Sequence, residues 1–97
     1  MKDVEGIKHA LLQHKAELKR RFKVKNIGVF GSYVRGEQKQ GSDVDVLVEF
    51  EKPVGLFDFM RLEFFLSDLL GVKVDLVSKK ALKPYIGKHI EEEVVYV

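Results

Sequence analysis

The residues best able to do chemistry lie in one stretch: Gly31-Ser32-Tyr33-Val34-Arg35-Gly36, then residues 37–41, then Ser42-Asp43-Val44-Asp45. Asp43 and Asp45 stand two apart on a segment that reads as a strand, so both carboxylates project from one face. Their Cβ atoms fall under ~7 Å apart, close enough to share a cation. Without a cation such neighbours repel, and one is pushed toward protonation. Asp75 stands mid-strand between Val74 and Leu76, where a charge is costly unless it has a partner. If the two strands are neighbours, Asp75 completes a three-carboxylate cluster. Hard oxygen donors in a chain with no cysteine select Mg2+ or Mn2+ over zinc. The plain alternative makes Asp43 a turn residue and leaves Asp45 and Asp75 on a solvated sheet face.

The upstream half of the stretch weighs against that alternative. Gly31 and Ser32 directly follow a short apolar run and precede what reads as a helix start. A helix start exposes unpaired N–H groups and a partial positive charge, glycine lets the backbone approach closely, and serine adds a hydroxyl. Together they suit a triphosphate, although a routine Gly-Ser helix start looks the same. The spacing Gly31-x4-Gly36 matches the glycines of a phosphate loop. Glu37 and Gln38 stand where Lys and Ser/Thr are required, so a Walker motif is excluded.

Several elements must position these residues. Val4, Ile7, Leu11, Leu18 and Phe22 form one helical stripe over residues 3–22. Residues 26–30 read as a strand ended by Gly31. Val44, Val46, Val48 and Phe50 alternate strictly, the pattern of a second strand. Leu56–Leu70 reads as a helix capped by Gly71, and residues 72–77 as a third strand. Pro84 suits the first turn of a last helix running toward Glu93, with residues 94–97 extended. The order of elements predicts an α/β (α+β) single domain over residues 1–97, a small mixed sheet flanked by helices.

With Gly31-Ser32-x-x-Arg35-Gly36, Ser42-Asp43-x-Asp45 and the later Asp75 in view, the chain resembles the DNA polymerase beta-like nucleotidyltransferase superfamily. More narrowly, it is similar to the minimal nucleotidyltransferases (MNT proteins). The resemblance runs from the first helix through Asp75, while residues 78–97 add little to it. It implies that Gly31, Ser32, Arg35 and Ser42 contact a nucleotide such as ATP. It also implies that Asp43, Asp45 and Asp75 are catalytic and hold two divalent ions, Mg2+ or Mn2+. Arg35 would touch phosphates or pair with a carboxylate of the cluster. Asp75 would orient or deprotonate the acceptor hydroxyl. Members of the family are often paired with a helical HEPN toxin, which the MNT antitoxin neutralises by transferring AMP to a tyrosine or by binding. Neutralisation by binding without catalysis is one alternative, and a nucleic-acid-binding module, resting on the basic N-terminal half, is another.

Composition sets the outer bounds. With 97 residues, 45% hydrophobic and 33% charged, the chain is an ordinary globular mix with room for one core. No cysteine excludes disulfides, thiol chemistry and Cys-based metal sites. No apolar run approaches a membrane span and no leader pattern is seen, so a cytoplasmic location is expected. Residues 1–41 carry ten Lys/Arg against four Asp/Glu, a net of +6, and residues 42–97 carry seven against eleven, a net of −4. The basic half fits anionic partners or a solvated helix end, and nucleic acid is disfavoured. His9, His14 and His89 make no metal set, and His14 reads as a packed residue. Within Leu56–Leu70, Phe59, Leu62, Leu66 and Leu69 form one stripe and Phe57, Met60 and Phe64 a second, roughly opposite. The second needs cover, expected in part from Ile86, Ile90, Val94 and Val95 and otherwise from a second subunit or a partner.

Overall fold

Asp3 starts the first helix by accepting the Gly6 N–H on its side chain at 2.9 Å. That helix, α1 (Val4–Gln13), buries Ile7 and Leu11, and α2 (Lys15–Phe22) buries Leu18. The single helix expected over residues 3–22 is therefore two. The break is at His14 (φ −106°, ψ 11°), whose Nδ1 lies 3.0 Å from the Ala10 carbonyl oxygen. Both pieces pack on the same core, so the apolar stripe continues across the bend and periodicity does not register it. His14 is half-buried, with its ring edge toward Phe65, as a packed histidine should be.

The computed structural model describes residues 3–97; Met1 and Lys2, the latter counted in the N-terminal charge, lie outside the described residues. After α2 come β1 (Val24–Phe30), the short α3 (Ser32–Arg35), β2 (Val44–Phe50) and α4 (Leu56–Leu70). β3 (Val74–Ser78), a 3-10 turn over Lys79–Ala81, α5 (Pro84–Glu93) and β4 (Val95–Tyr96) complete the described residues. β2, α4 and α5 match their expected spans. β3 starts two residues later than expected, because Val72 belongs to the turn after the left-handed Gly71 (φ 67°).

The sheet runs β3-β2-β1-β4, with β2 and β3 parallel and the other neighbours antiparallel. It is the mixed sheet of an α+β fold. A parallel pair needs a crossover, and α4 supplies it. The pairing sets Val44 opposite Val74, Asp45 opposite Asp75 and Val46 opposite Leu76. Val44, Val46 and Val48 point into one core with Ile7, Leu11, Leu62 and Leu66, while Asp45, Leu47 and Glu49 take the other face. Leu47 is fully buried there, so that face is not wholly solvated. α4 also closes the free edge of β3. The Val74 N–H donates to Ser67 Oγ at 3.0 Å and the Leu76 N–H to Glu63 Oε2 at 2.9 Å.

The two stripes of α4 part in the expected sense. Leu62 and Leu66 are buried and Phe59 and Leu69 half-buried against the same core, joined by Leu70, which was not among the expected stripe residues. Phe57, Met60 and Phe64 are 74%, 38% and 63% exposed. The expected cover from the C-terminal segment is not seen. β4 pairs with β1, at the opposite edge of the sheet from β3, and Ile86 is itself exposed. Backbone pairing of residues 95–96 with residues 28–29 fixes where the segment goes, and it is not over α4.

Candidate active site

Gly31 links β1 to α3 with φ 79° and ψ −152°, a combination open essentially to glycine alone. Its carbonyl accepts the Val34 and Arg35 amides at 3.1 and 3.2 Å, closing the single turn of α3. A Cβ at this position would run into the Asp45 carboxylate, with Asp45 Cγ 2.9 Å away. The glycine is thus required twice, for its backbone angle and for the room it leaves an acidic side chain. Gly36 (φ 71°) ends α3, and nothing crowds it.

Asp45 and Asp75 are direct partners on the parallel strands, so their Cα atoms are separated by about one interstrand spacing, ~4.8 Å, with both side chains on one face. Asp43 immediately precedes β2. Asp45 is half-buried and Asp75 exposed. Burial, then the neighbouring Asp75 and Asp43 carboxylates, raise the Asp45 carboxyl above the usual aspartate range; Arg35 opposes the shift and Glu93 adds to it. Among the described residues, no three His, Cys, Asp or Glu side chains form a ready-made cation cage. Asp45 and Asp75 share a face, and Asp43 adds its charge to their negative field. That donor set fits a hard divalent ion: it is all carboxylate oxygen, and a cation would offset the burial and the carboxylate repulsion that raise the Asp45 carboxyl. Asp43, Asp45 and Asp75 would have to draw together to hold Mg2+ or Mn2+.

The other sequence-derived site residues cluster around this face. Ser32 is half-buried at the first position of α3. Ser42 Oγ accepts the Lys39 N–H at 2.8 Å, and the Ser42 N–H donates to the Lys39 carbonyl at 2.9 Å. Ser42 therefore shapes the loop that delivers Asp43. Arg35 pairs with two carboxylates outside the aspartate cluster: Glu37 through Nε at 2.6 Å and Glu93 through Nη1 at 2.8 Å. Glu37 first and then Glu93 strengthen its hold on its proton.

Two residues of the site carry no sequence signal. Tyr33 is buried beneath the loop, its hydroxyl directed at the Ser42 carbonyl at 3.5 Å. Glu93, at the end of α5, accepts the Gly31 N–H at 2.5 Å. Sixty-two positions separate Glu93 from Gly31, so no local spacing links them.

Known proteins share both this sequence pattern and this fold. The nucleotidyltransferase domain family matches residues 11–97. The protein adenylyltransferase MntA of Thermococcus cleftensis is 55% identical, over all of this chain and 98% of its own length. A relative from Methanocaldococcus jannaschii is 54% identical over the whole of both chains. A solved structure of a candidate minimal nucleotidyltransferase superposes with a TM-score of 0.81 at 37% identity, covering 97% of this chain and 95% of the other. The MNT antitoxin solved with tri-AMPylated HEPN toxin of Shewanella oneidensis shares the fold, with a TM-score of 0.63 at 21% identity over 90% of this chain and 70% of that one. With the mixed sheet, the glycine hinge and the paired aspartates in place, these matches put the chain in the nucleotidyltransferase domain family, and it is a nucleotidyltransferase.

Proposed function

We propose that the enzyme transfers AMP from ATP, with Mg2+, to a hydroxyl of a HEPN-type partner protein, and so acts as the antitoxin of a toxin–antitoxin pair. The observation that carries the reading is the in-register Asp45–Asp75 pair beside a glycine whose missing side chain makes room for Asp45. The adenylyl group and the protein acceptor are supported by the MntA relative, which is identical at more than half its positions. The HEPN partner is supported by the resemblance to minimal nucleotidyltransferases.

In this reading the Gly31 amide, the Ser32 hydroxyl and Arg35 bind the triphosphate, with Ser42 holding the loop on its far side. The acceptor oxygen attacks the α-phosphorus, the bond to the bridging oxygen of the pyrophosphate breaks, and pyrophosphate leaves. Asp75, exposed at the mouth of the site, orients the acceptor hydroxyl and takes its proton. Asp43, Asp45 and Asp75 would hold the cations. When bound, the divalent ions neutralise charge on the triphosphate and its leaving group. Most of the catalytic effect is then positioning and electrostatic stabilisation. The test is transfer of label from ATP marked at the α-phosphate to the co-encoded neighbour protein. Label should reach a partner hydroxyl with the wild type and not with Asp45→Asn; absence of transfer at saturating Mg2+ would refute the reading.

One observation favours a second reading. The exposed Phe57, Met60 and Phe64 are a surface on which a partner can be held without chemistry. A doubly substituted Asp43→Asn, Asp45→Asn protein that still neutralises its partner would establish binding as the operative activity.

A further inference from the structure

Glu93 reaches Gly31 and Arg35 from the far end of the chain. A single oxygen, Oε1, accepts the Gly31 N–H at 2.5 Å and Arg35 Nη1 at 2.8 Å. An amide and a guanidinium converging on one anionic oxygen is the donor pair a phosphate oxygen takes. The side chain is sheltered, with 29% of its surface exposed, against 51% for Arg35. Its placement is tertiary. β4 fixes the segment after it on β1 through the pairs Gly28 with Tyr96 and Val29 with Val95. By contrast, α5 itself buries no residue. The carboxylate is thus delivered by a helix that little else holds down.

We propose that Glu93 is a built-in competitor for the nucleotide: in the free protein its carboxylate occupies the Gly31 amide and the Arg35 guanidinium, and the triphosphate must displace it to bind. The proposal rests on the nucleotide-site reading above and adds regulation to it. Displacement releases Arg35 to the ligand and moves a negative charge away from the aspartate face. The apparent affinity is reduced by the fraction of molecules in which Glu93 is out, so anything that draws α5 aside raises nucleotide affinity without touching the nucleotide.

The experiment is calorimetric titration of the magnesium complex of α,β-methylene-ATP, which cannot transfer AMP, into wild type, Glu93→Gln, Glu93→Ala and Glu37→Gln at one fixed salt concentration. Thermal unfolding of each variant checks that it is folded. Glu37 also pairs with Arg35, at 2.6 Å, and has no bond to Gly31, so it controls for the simple loss of a negative charge. Glu93→Gln and Glu93→Ala are expected to bind about tenfold more tightly, as when about nine molecules in ten have Glu93 in place. Glu37→Gln is expected to change affinity by less than about twofold. Binding by the Glu93 variants where the wild type shows none supports the proposal in the same way. Equal or weaker binding by both Glu93 variants overturns the proposal and leaves the nucleotide site standing, with Glu93 positioning Gly31 and Arg35. An equal gain in Glu37→Gln also overturns it. No binding by any of the four proteins overturns the nucleotide reading itself, and the proposal with it.

Discussion

Replacing Gly31 with alanine tests the centre of the site in two ways at once. The backbone at φ 79° and ψ −152° is strained for any residue with a Cβ, by roughly 1–3 kcal/mol. The new methyl also overlaps the Asp45 carboxylate, and it sits 3.2 Å from Asp45 Cβ and 2.9 Å from Cγ, so the strand side chain must move. A further 1 kcal/mol or so for an off-rotamer Asp45 gives a total of about 2–4 kcal/mol. In a domain of this size that lowers the unfolding midpoint by roughly 10–25 °C. AMP transfer should fall at least ~100-fold, because a displaced Asp45 no longer shares the geometry of Asp75. Circular dichroism melts give the first number and labelled-ATP transfer the second. The decisive comparison is Gly31→Ala in an Asp45→Ala background. There the carboxylate is gone and only the 3.2 Å Cβ contact and the backbone strain remain, so about 1 kcal/mol of the loss should be recovered. If the alanine costs as much without the carboxylate as with it, the steric argument is wrong. A Gly31→Ala protein within about 0.5 kcal/mol of wild type would refute the backbone argument as well.

Asp45→Asn should abolish transfer by at least ~100-fold and yet raise the unfolding midpoint of the metal-free protein at neutral pH. Asp45 has its carboxyl raised above the ordinary 3.8, so its ionised form costs the fold stability that is recovered as pH falls through that raised value; the asparagine variant should lack this gain in a series of melts at falling pH. Added Mg2+ should raise the wild-type midpoint with concentration and leave the Asp43→Asn, Asp45→Asn protein unmoved, as differential scanning fluorimetry would show. Phe64→Glu should weaken association with the partner protein while keeping nucleotide affinity and shifting stability by less than about 0.5 kcal/mol, because that ring is already exposed; loss of nucleotide binding would contradict the separation of the two surfaces.

The parts of the fold written in local patterns could be read from the sequence. β2 shows as strict alternation, and α4 shows as a stripe with a glycine cap, so both have their expected ends. The Asp-x-Asp spacing, the charge inside a strand and the Gly-Ser pair pointed to Asp43, Asp45, Asp75 and Gly31, and the family motif gave them roles. What stayed hidden has physical reasons. His14 breaks a helix without proline or glycine, and Lys23 ends α2 in the left-handed region (φ 61°), where lysine gives no warning. The path of residues 94–97 depends on which sheet edge is free, and this is decided by the whole sheet. Glu93 reaches Gly31 only because β4 lands on β1, so its role lies in topology and in no motif.

The face-to-face placement of Asp45 and Asp75 also makes the enzyme a judge of its own folding. Side chains alternate along a strand, so a slip of β3 by one residue against β2 would turn Asp75 toward the helices and bring Val74 or Leu76 out beside Asp45. Such a chain would keep its helices, most of its strand content and much of its compactness. It would have no paired carboxylates. Parallel strands joined across a helix are among the slower elements to find their partners. If the proposed site is right, each active molecule has closed this one pairing in register, and activity per mole would measure fidelity of assembly where a spectrum would not.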